Sequence, residues 1–568
     1  MPDAPPERQQ FQLLAHDSVR RLINSALVSR DGDPAQFALW VVVAAAVPPS
    51  MYAFSRVLQY TAMGVNLPHD AELVIVADRM FFVLYAMLTS ALIASLVWDA
   101  LLPDETDQEV IGPLPVAART LTAARLAAAA ILAAAFSLAV SAPGALLFAG
   151  ASTTHQAFGW FPAVVVAHLL STLAASIFAF ATLLVLRASV AALFGPHASR
   201  QLALLLQLAS VVTIVGAVFF LPAVVSWLVQ ALAAAGTPAA VTPPVWYGAL
   251  YTWLAGTGSI PVSGGAAKAA IALAVVLTAV VPVYLLPARI VAQRTREHRG
   301  APQRRWIGSM VAALIGALAR CVPSRAMIAF TVASLTRNQR QLLVVCSYAS
   351  AGIAIGAGRI ATSGLFGPFA MPTPDSSVLL VPLVLMMFLI AGLRSAFLIP
   401  TDVEANWPFR LSPPTRSVAR GATLMVIVVL GITIPVLLFA VIAAWLEWPL
   451  TKVLIAGGQD MMLGVALAEV ALGNWEQVPF ACERAPLDDG AKSKWLRFLA
   501  GVVVLGFIGS QVQSAALRST TGTVLYSALL VGAALCAVVS RHTLSDEPVR
   551  FDADETRIET LGLSEALR

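Results

Sequence analysis

Long apolar runs alternate with short polar segments along the whole chain. The runs lack the strict alternation of a half-buried strand and are rich in Ala, Leu and Val. A run of about 18 or more apolar residues can cross a hydrocarbon core of about 30 Å as a helix. Only helices and closed barrels can cross lipid, because every backbone polar group must be paired internally. The pattern therefore predicts an all-α polytopic membrane protein.

The runs predict about twelve transmembrane helices. Their limits are 37–57, 79–99, 119–149, 159–186, 202–230, 263–286, 342–362, 377–399, 416–446, 450–471, 495–516 and 521–540. The spans group into two halves of about six helices each, joined by a basic segment. The predicted domains are a cytoplasmic N-terminal segment 1–36, a first permease half 37–286, a basic linker with interfacial helices 287–341, a second half 342–540 and a cytoplasmic tail 541–568.

Basic residues are distributed unevenly across the predicted membrane. If the N-terminus is cytoplasmic, 29 of the 36 Lys and Arg residues fall on the cytoplasmic side. The outer loops hold Arg56, Arg79, Lys268, Arg359, Lys452 and Arg518, and Arg394 lies within a span. Because basic residues favour cytoplasmic loops, we predict a multi-pass protein of the cytoplasmic membrane with both termini inside. The first 36 residues are polar and contain no signal-peptide pattern.

Composition agrees with this class. The chain is 58% hydrophobic and 12% charged, with a mean hydropathy of +0.80, whereas a soluble protein carries about 25% charged residues. The net charge of +5 is explained by topology and by contact with anionic lipid headgroups, so no nucleic acid is expected. The four cysteines have no paired spacing, so we predict neither a disulfide framework nor a metal site.

Two polar stretches share one order of residue types. "LLPDETDQEVIGPLPVAART" (101–120) and "LIPTDVEANWPFRLSPPTRS" (398–417) align at an offset of 297 positions. The aligned pairs are Pro103 with Pro400, Glu105 with Asp402, Asp107 with Glu404, Leu114 with Leu411 and Arg119 with Arg416. Each stretch lies between the second and third span of its half. We therefore predict an internal duplication, with parallel halves related by an axis along the membrane normal.

These stretches carry a resemblance to a known family. The first resembles the loop after the second helix of ABC-2-type permeases, the membrane subunits of ABC exporters. "PPVWYGALYTWLAG" (243–256), "ANWPFRL" (405–411) and "VPFACERAP" (478–486) resemble signatures of a bacterial group of large permease-like proteins with two such halves. In the last signature, relatives usually have Thr where Ala481 stands, and "ERAPLDDGAKSK" departs from their continuation.

The resemblance implies that both loops dock on an ATPase and transmit its closure. The implied coupling residues are Asp104, Glu105, Asp107 and Arg119 in the first loop, and Asp402, Glu404 and Arg416 in the second. The physical properties of the loops fit that role. Proline restricts the backbone and stops a helix, acids suit the first turn of a short helix, and the arginines can anchor the next span at headgroup level.

The energy source is expected in another protein. The sequence contains no G-x-x-x-x-G-K-[ST] phosphate-binding loop. We therefore predict no enzymatic activity and no cofactor in this chain. ATP and magnesium would be bound by one or two cytoplasmic ABC ATPase subunits, and two docking loops imply two such subunits for each chain.

Polar residues inside spans are candidates for a translocation path, because they are costly in lipid. His168 lies in the fourth span and Asp460 in the tenth, where Gly457 and Gly458 suggest a thin or bent helix. Either could instead make a structural contact: a helix–helix hydrogen bond for His168, or a packed ion pair for Asp460. Glu469 follows Asp460 by nine residues, which at about 100° per residue places it on the opposite face.

Arg394 and the aromatic segment 231–262 are both expected near a membrane surface. Arg394 lies six residues before Pro400 and is expected to extend to the cytoplasmic surface. Segment 231–262 interleaves Trp246, Tyr247, Tyr251 and Trp253 with small residues. Because such aromatics favour the membrane interface, we predict a short outer-surface helix or a re-entrant hairpin there.

Two other functions remain open at this stage. A proton-coupled secondary transporter with twelve spans would use Asp460, Glu469 or His168 and would need no ATPase. A lipid-dependent glycosyltransferase would use acids of the first outer loop, where "LPHDAEL" (67–73) offers His69, Asp70 and Glu72. The outer loops are short for an acceptor domain, and the apolar character of the chain does not identify a substrate.

Overall fold

The computed structural model describes most of the chain. The described residues are 7–27, 34–63, 71–97, 116–153, 160–233, 240–256, 264–297, 306–317, 321–362, 375–401, 406–473, 475–482, 497–498, 500–539 and 549–551. In these ranges the regular elements are helices, and strand pairing is limited to one parallel bridge between Gln477 and Arg550. The prediction of an all-α fold is confirmed.

We number the helices in chain order. The amino-terminal ones are α1 (Glu7–Leu27), α2 (Pro34–Met63), α3 (Ala71–Val97), α4 (Ala118–Thr153), α5 (Phe161–Phe219), α6 (Leu221–Ala233), α7 (Pro243–Ala255) and α8 (Gly265–Glu297). The others are α9 (Trp306–Ala317), α10 (Val322–Arg337), α11 (Gln339–Thr362), α12 (Ser376–Phe397), α13 (Trp407–Leu411), α14 (Arg416–Trp445), α15 (Leu450–Ala471), α16 (Val502–Leu517) and α17 (Thr520–Val539).

The chain forms two compact units. Unit 1 comprises Met1–Pro302 and unit 2 comprises Gln303–Arg568. The boundary falls in the basic segment 289–305, where the sequence places a linker.

Eight described helices are long and apolar enough to cross a membrane, and a ninth span arises if one bent helix pair is counted as a single crossing. The eight are Val74–Val97, Thr120–Thr153, Phe161–Val190, Gln341–Ile360, Ser376–Phe397, Arg416–Trp445, Leu450–Ala471 and Thr520–Val539. The bent pair is Leu205–Val218 with Leu221–Leu232, at 78°. Three shorter apolar helices, Val41–Val57, Gly265–Val280 and Val502–Leu517, coincide with other predicted spans. The transmembrane class of the protein thus agrees with its helices.

Helix α5 is 59 residues long and covers the predicted span 159–186 and the first part of the predicted span 202–230. Ser176 donates to the carbonyl of Ala86, and Gln207 donates to the carbonyl of Ser95, both on α3. In a straight helix Ser176 and Gln207 would lie about 46 Å apart, whereas their two partners on α3 are about 14 Å apart. Side chains cannot bridge that difference. Helix α5 therefore turns back between these contacts, so that its second part returns along α3.

One helix lies at the centre of each unit. Among the candidate spans of unit 1, α3 is the most deeply buried, and α12 holds the same position in unit 2. A helix that is apolar on every face belongs inside a bundle rather than at its edge. Each central helix directly precedes one of the two polar stretches that align in sequence.

Helix α14 contains one wider turn that fits it to its neighbour. Residues Val428–Thr433 form a π-helical turn, and Pro435 follows it. Because proline has no amide hydrogen to donate, the regular ladder is interrupted there. The turn brings Ile432 against Gly464 of α15, so closely that a β-carbon at Gly464 would lie 2.7 Å from Ile432 Cγ2. A side chain at position 464 would separate the helices.

Candidate functional site

The predicted coupling loops are described only in part. Asp104, Glu105, Asp107, Asp402 and Glu404 lie outside the described residues, as does the side chain of Arg119. Arg416 is described and begins α14. The geometry near the loops therefore comes from unit 2, where most of the second stretch is described.

Three separate segments meet at one end of unit 2, and we call them the loop platform: residues 397–401 with 406–416, residues 475–482, and residues 549–551. Phe480 donates its amide to the carbonyl of Phe397 at 2.8 Å and accepts from the amide of Thr401 at 3.1 Å. Asn406, which is 2% exposed, donates its side-chain amide to the carbonyl of Ala481 at 3.0 Å. The motifs "ANWPFRL" and "VPFACERAP", which are remote in sequence, are therefore bonded to each other.

The carboxyl-terminal segment adds the third part of the loop platform. Arg550 donates its amide to the carbonyl of Glu476 at 2.8 Å, and its carbonyl accepts from the amide of Val478 at 3.0 Å. Phe551 contacts Phe409 of α13 with ring centroids 6.0 Å apart. This segment lies outside every predicted span, so its contribution to the platform arises only on folding.

Phe480 holds the platform in an unusual backbone conformation. Its φ is 64°, in the left-handed region that non-glycine residues seldom adopt. The ring of Phe480 is 1% exposed and lies edge-on to Phe397, with centroids 5.4 Å apart at 81°. A strained residue persists only where its surroundings fix it. The turn at 478–481 is thus held rigidly by packing and by backbone bonds on both sides.

Arg416 connects the platform to the start of α14. Its guanidinium forms an ion pair with Glu476 at 3.0 Å and donates to the carbonyl of Trp475 at 3.3 Å. The sequence led us to expect an anchor at headgroup level. In the structure this side chain is instead engaged by the protein, because segment 475–482 folds over it.

His168 makes the helix–helix hydrogen bond that was one of its two expected roles. Its Nδ1 lies 3.1 Å from the hydroxyl of Tyr251 on α7, and its ring packs against Phe82 of α3 at 4.8 Å. His168 is 1% exposed. It therefore joins three helices of unit 1 within an aromatic core.

The helix predicted within 231–262 exists as α7, but its tyrosines are buried inside unit 1. Tyr247 and Tyr251 are both fully buried, whereas Trp253 is 70% exposed. The expectation of a helix lying on the outer surface is wrong for the two tyrosines, because α7 packs against α3, α5 and α8. The alternative of a re-entrant hairpin stays a prediction.

Arg79 is not in an outer loop, contrary to the sequence-based count. Helix α3 begins at Ala71, and Arg79 is 1% exposed with its guanidinium 5.1 Å from the centre of the Tyr251 ring. The neighbouring Asp78 is also buried and accepts hydrogen bonds from Tyr52 at 2.6 Å and Tyr60 at 2.5 Å. Apolar counting missed the first two turns of α3 because Asp78 and Arg79 made this part look polar. Both charges are compensated from other helices, Asp78 by an ion pair with Arg56 of α2 and Arg79 by the ring of Tyr251.

Asp460 forms no ion pair in the described structure, so that expected role is not found. It is 1% exposed, and its Oδ1 accepts from Nε2 of Gln513 on α16 at 2.9 Å. Its Oδ2 has no hydrogen-bond partner among the described residues, and neither has Gln513 Oε1. Helix α15 runs unbroken from Leu450 to Ala471, so the glycines before Asp460 do not interrupt it.

Glu469 lies on the other face of α15, as its spacing from Asp460 predicts. Its carboxylate pairs with Arg420 of α14 at 2.6 Å, and both side chains are buried. Asp460 contacts α16 instead. The two acids therefore do not form a carboxylate pair. Arg394 is exposed, as expected for a side chain that extends to a surface.

Gln513 and Gln459 were not identified from the sequence. Gln459 Nε2 donates to Ser527 of α17 at 3.0 Å, so the polar contacts of Asp460 extend over three helices. Both are amide side chains inside apolar runs, and a polar side chain is costly within a membrane span just as a charged one is. That cost could have marked them as candidates. The sequence does not show which of these polar side chains contact each other, because it does not show which helices are neighbours.

Comparisons with known proteins give no relative for this chain. No protein-family model, no curated protein and no solved structure matches it.

Proposed function

We propose that this chain is the membrane-spanning permease of an ABC-2-type exporter, which moves a substrate across the cytoplasmic membrane with energy from a separate ATPase. The observation that supports it most is the loop platform of unit 2. Two of the motifs that carry the family resemblance, remote in sequence, are bonded to each other at the end of the central helix α12. A docking loop needs such support, because a flexible loop would absorb the motion that it must transmit.

The platform also presents an exposed contact surface. Helix α13 displays Leu411, which is 78% exposed, while Phe409 of the same helix packs between Phe330 and Phe551. One side of this short helix is thus fixed and the other is free among the described residues. A partner that binds Leu411 would act on α12 and α14 through the platform.

The proposal includes the topology expected from the sequence. Twelve crossings in two parallel halves would place both aligned loops, and both termini, in the cytoplasm. Eight long apolar helices, one bent pair and three shorter apolar helices overlap the twelve predicted spans, which supports this topology. Two docking loops on one face would bind two copies of one ATPase, or a pair of related ATPases, for each chain.

The test is capture of an ATPase by the purified, full-length chain. We expect the chain alone to show no ATP hydrolysis, and to retain a cytoplasmic ATPase expressed with it. Leu411→Ala should weaken capture by roughly 5- to 30-fold, the range for a residue worth about 1–2 kcal/mol at an interface. Trp253→Ala provides the control, because Trp253 is similarly exposed but lies in unit 1 on a segment predicted to face outside. Robust hydrolysis by the isolated chain, or equal capture by both variants, would contradict the proposal.

A second candidate is a proton-coupled secondary transporter, and one observation favours it. Asp460 is a buried acid within a candidate span, and one of its oxygens has no partner among the described residues. Transport by the chain in vesicles without any ATPase, driven by a proton gradient, would support this candidate over the exporter.

A further inference from the structure

The contacts of Asp460 and Gln513 are incomplete in a particular way. Gln513 Nε2 faces three acceptors: Asp460 Oδ1 at 2.9 Å, Gln459 Oε1 at 3.3 Å and the carbonyl of Ala456 at 3.4 Å. A flipped amide would place its oxygen among these acceptors, so the orientation of the amide is fixed by chemistry. Asp460 Oδ2 and Gln513 Oε1 then remain, both buried and both without a hydrogen-bond partner among the described residues.

The two remaining atoms are acceptors, so no hydrogen bond can join them unless one carries a proton. A carboxylic acid and a primary amide are complementary: the amide N–H donates to one acid oxygen, and the acid O–H donates to the amide oxygen. The first of these bonds is present. One proton on Asp460 would complete the second and satisfy both remaining atoms, because the terminal torsions of both side chains have broad minima and can rotate to close the pair.

Among the described residues, no positive charge lies against Asp460 to balance a carboxylate. The ionisable side chains on the helices that pack against α15 are Arg394 of α12, Arg416 and Arg420 of α14, and Tyr526 and Cys536 of α17. Arg416 and Arg420 pair with Glu476 and Glu469, and Arg394 is exposed. Tyr526, which does interact electrostatically with Asp460, is itself an acid. A buried carboxylate with no countercharge is costly and takes up a proton instead.

We propose that Asp460 and Gln513 form a proton-binding site, in which Asp460 is a neutral carboxylic acid closed into a cyclic pair with the Gln513 amide. The site holds α15 and α16 together, and Gln459 extends its hydrogen bonds to Ser527 of α17. Release of the proton leaves a charge that this contact cannot hold, so it requires α15 and α16 to separate or water to enter. The proposal is independent of any ATPase and of the direction of transport.

Infrared difference spectroscopy on the purified full-length chain in lipid tests this site. At neutral pH the wild-type protein should show the carbonyl band of a protonated carboxylic acid, and Asp460→Asn should lose it. Gln513→Leu should keep the band but shift it to higher frequency, because the acid loses its hydrogen-bonded partner. Glu447→Gln is the control, since Glu447 is exposed at the end of α14, and it should leave the band unchanged.

A second measurement keeps the proposal falsifiable if a variant is poorly stable. Asn at position 460 donates and accepts in the geometry of the protonated acid, so Asp460→Asn should melt within about 2 °C of the wild type, a shift worth about 1 kcal/mol for a unit of this size. If the acid band is the same in wild type and Asp460→Asn, Asp460 is ionised and the proposal is wrong. If sodium or potassium ions raise the melting temperature of the wild type but not of Asp460→Asn, the site binds a metal cation and not a proton.

Discussion

Arg420 of α14 and Glu469 of α15 form a buried ion pair within unit 2, with 2.6 Å between Nη2 and Oε2. Arg420 also donates its Nε to the carbonyl of Leu472, at the carboxyl-terminal end of α15. One guanidinium thus neutralises an acid and satisfies a helix end at the same time. The two helices are held in register at this point by charge as well as by packing.

Breaking this pair should destabilise unit 2 strongly. Glu469→Gln leaves a buried guanidinium without its countercharge, and we expect the free energy of unfolding to fall by about 3–5 kcal/mol. Replacing both partners, Arg420→Met with Glu469→Leu, should recover most of the loss, because no uncompensated charge remains. The free energy of unfolding in detergent, measured for the wild type, the two single variants and the double variant, completes this double-mutant cycle.

The ion pair of Arg416 with the exposed acid Glu476 is the matched control for these variants. Glu476 is 67% exposed, so Glu476→Gln should cost no more than about 1 kcal/mol. A double variant at Arg420 and Glu469 that is as unstable as the single variants would show that shape, rather than charge compensation, decides the stability of this contact.

Gly464 should tolerate no side chain. A β-carbon there would lie 2.4 Å from Met386 Sδ and 2.7 Å from Ile432 Cγ2, so Gly464→Ala should cost about 1–3 kcal/mol through overpacking. Gly458 lies six residues earlier on α15, and a β-carbon there meets no atom within 4 Å. Gly458→Ala should therefore be neutral or stabilise the protein by up to about 1 kcal/mol. The melting temperatures of Gly464→Ala and Gly458→Ala test this difference. Equal effects would contradict the close approach of α14 and α15.

Charge reversal should separate the two candidate functions. If the polar stretches dock an ATPase, reversing their acids should uncouple transport from ATP hydrolysis while leaving the membrane fold intact. The variants are Asp104→Lys with Glu105→Lys, and Asp402→Lys with Glu404→Lys. Asp460→Asn should keep transport, because Asn retains a hydrogen bond to Gln513, worth on average about 0.6 kcal/mol between helices in a membrane.

The opposite pattern would favour proton coupling. Loss of transport in Asp460→Asn, with full transport in all the loop variants, is the result expected if Asp460 must release its proton in each cycle, since Asn cannot titrate. Substrate uptake into inverted vesicles, measured with and without a proton gradient, distinguishes the two outcomes.

The predicted orientation can be tested by chemical labelling. Single cysteines introduced within 64–70 and 257–263 should react with an impermeant maleimide from outside intact cells, because the excess of basic residues places these segments outside. Cysteines within 298–305 should react only after permeabilisation. The background variant must lack Cys321 and Cys536, which are exposed. External labelling within 298–305 would mean that the number of spans before it is odd.

The sequence alone determined the all-α class of the protein and the positions of its long apolar helices. Apolar runs are a local property of the chain, and lipid permits little else than helices where they occur. The same local reasoning placed Asp460 and Glu469 on opposite faces of one helix, and the structure confirms it through their different partners. Where the local rule failed, at Arg79, the charge is compensated by a residue more than 150 positions away.

Only the tertiary structure decided which polar groups meet. Contacts between segments distant in sequence join the three parts of the loop platform, namely 397–401 with 406–416, 475–482 and 549–551. Such contacts also bring α5 back along α3 and give Asp460 its amide partner. Periodicity gives the face on which a residue lies but not the helix that covers that face. The sequence around a buried acid does not show whether the side chain that contacts it is an arginine or a glutamine. That contact decides whether the acid is charged.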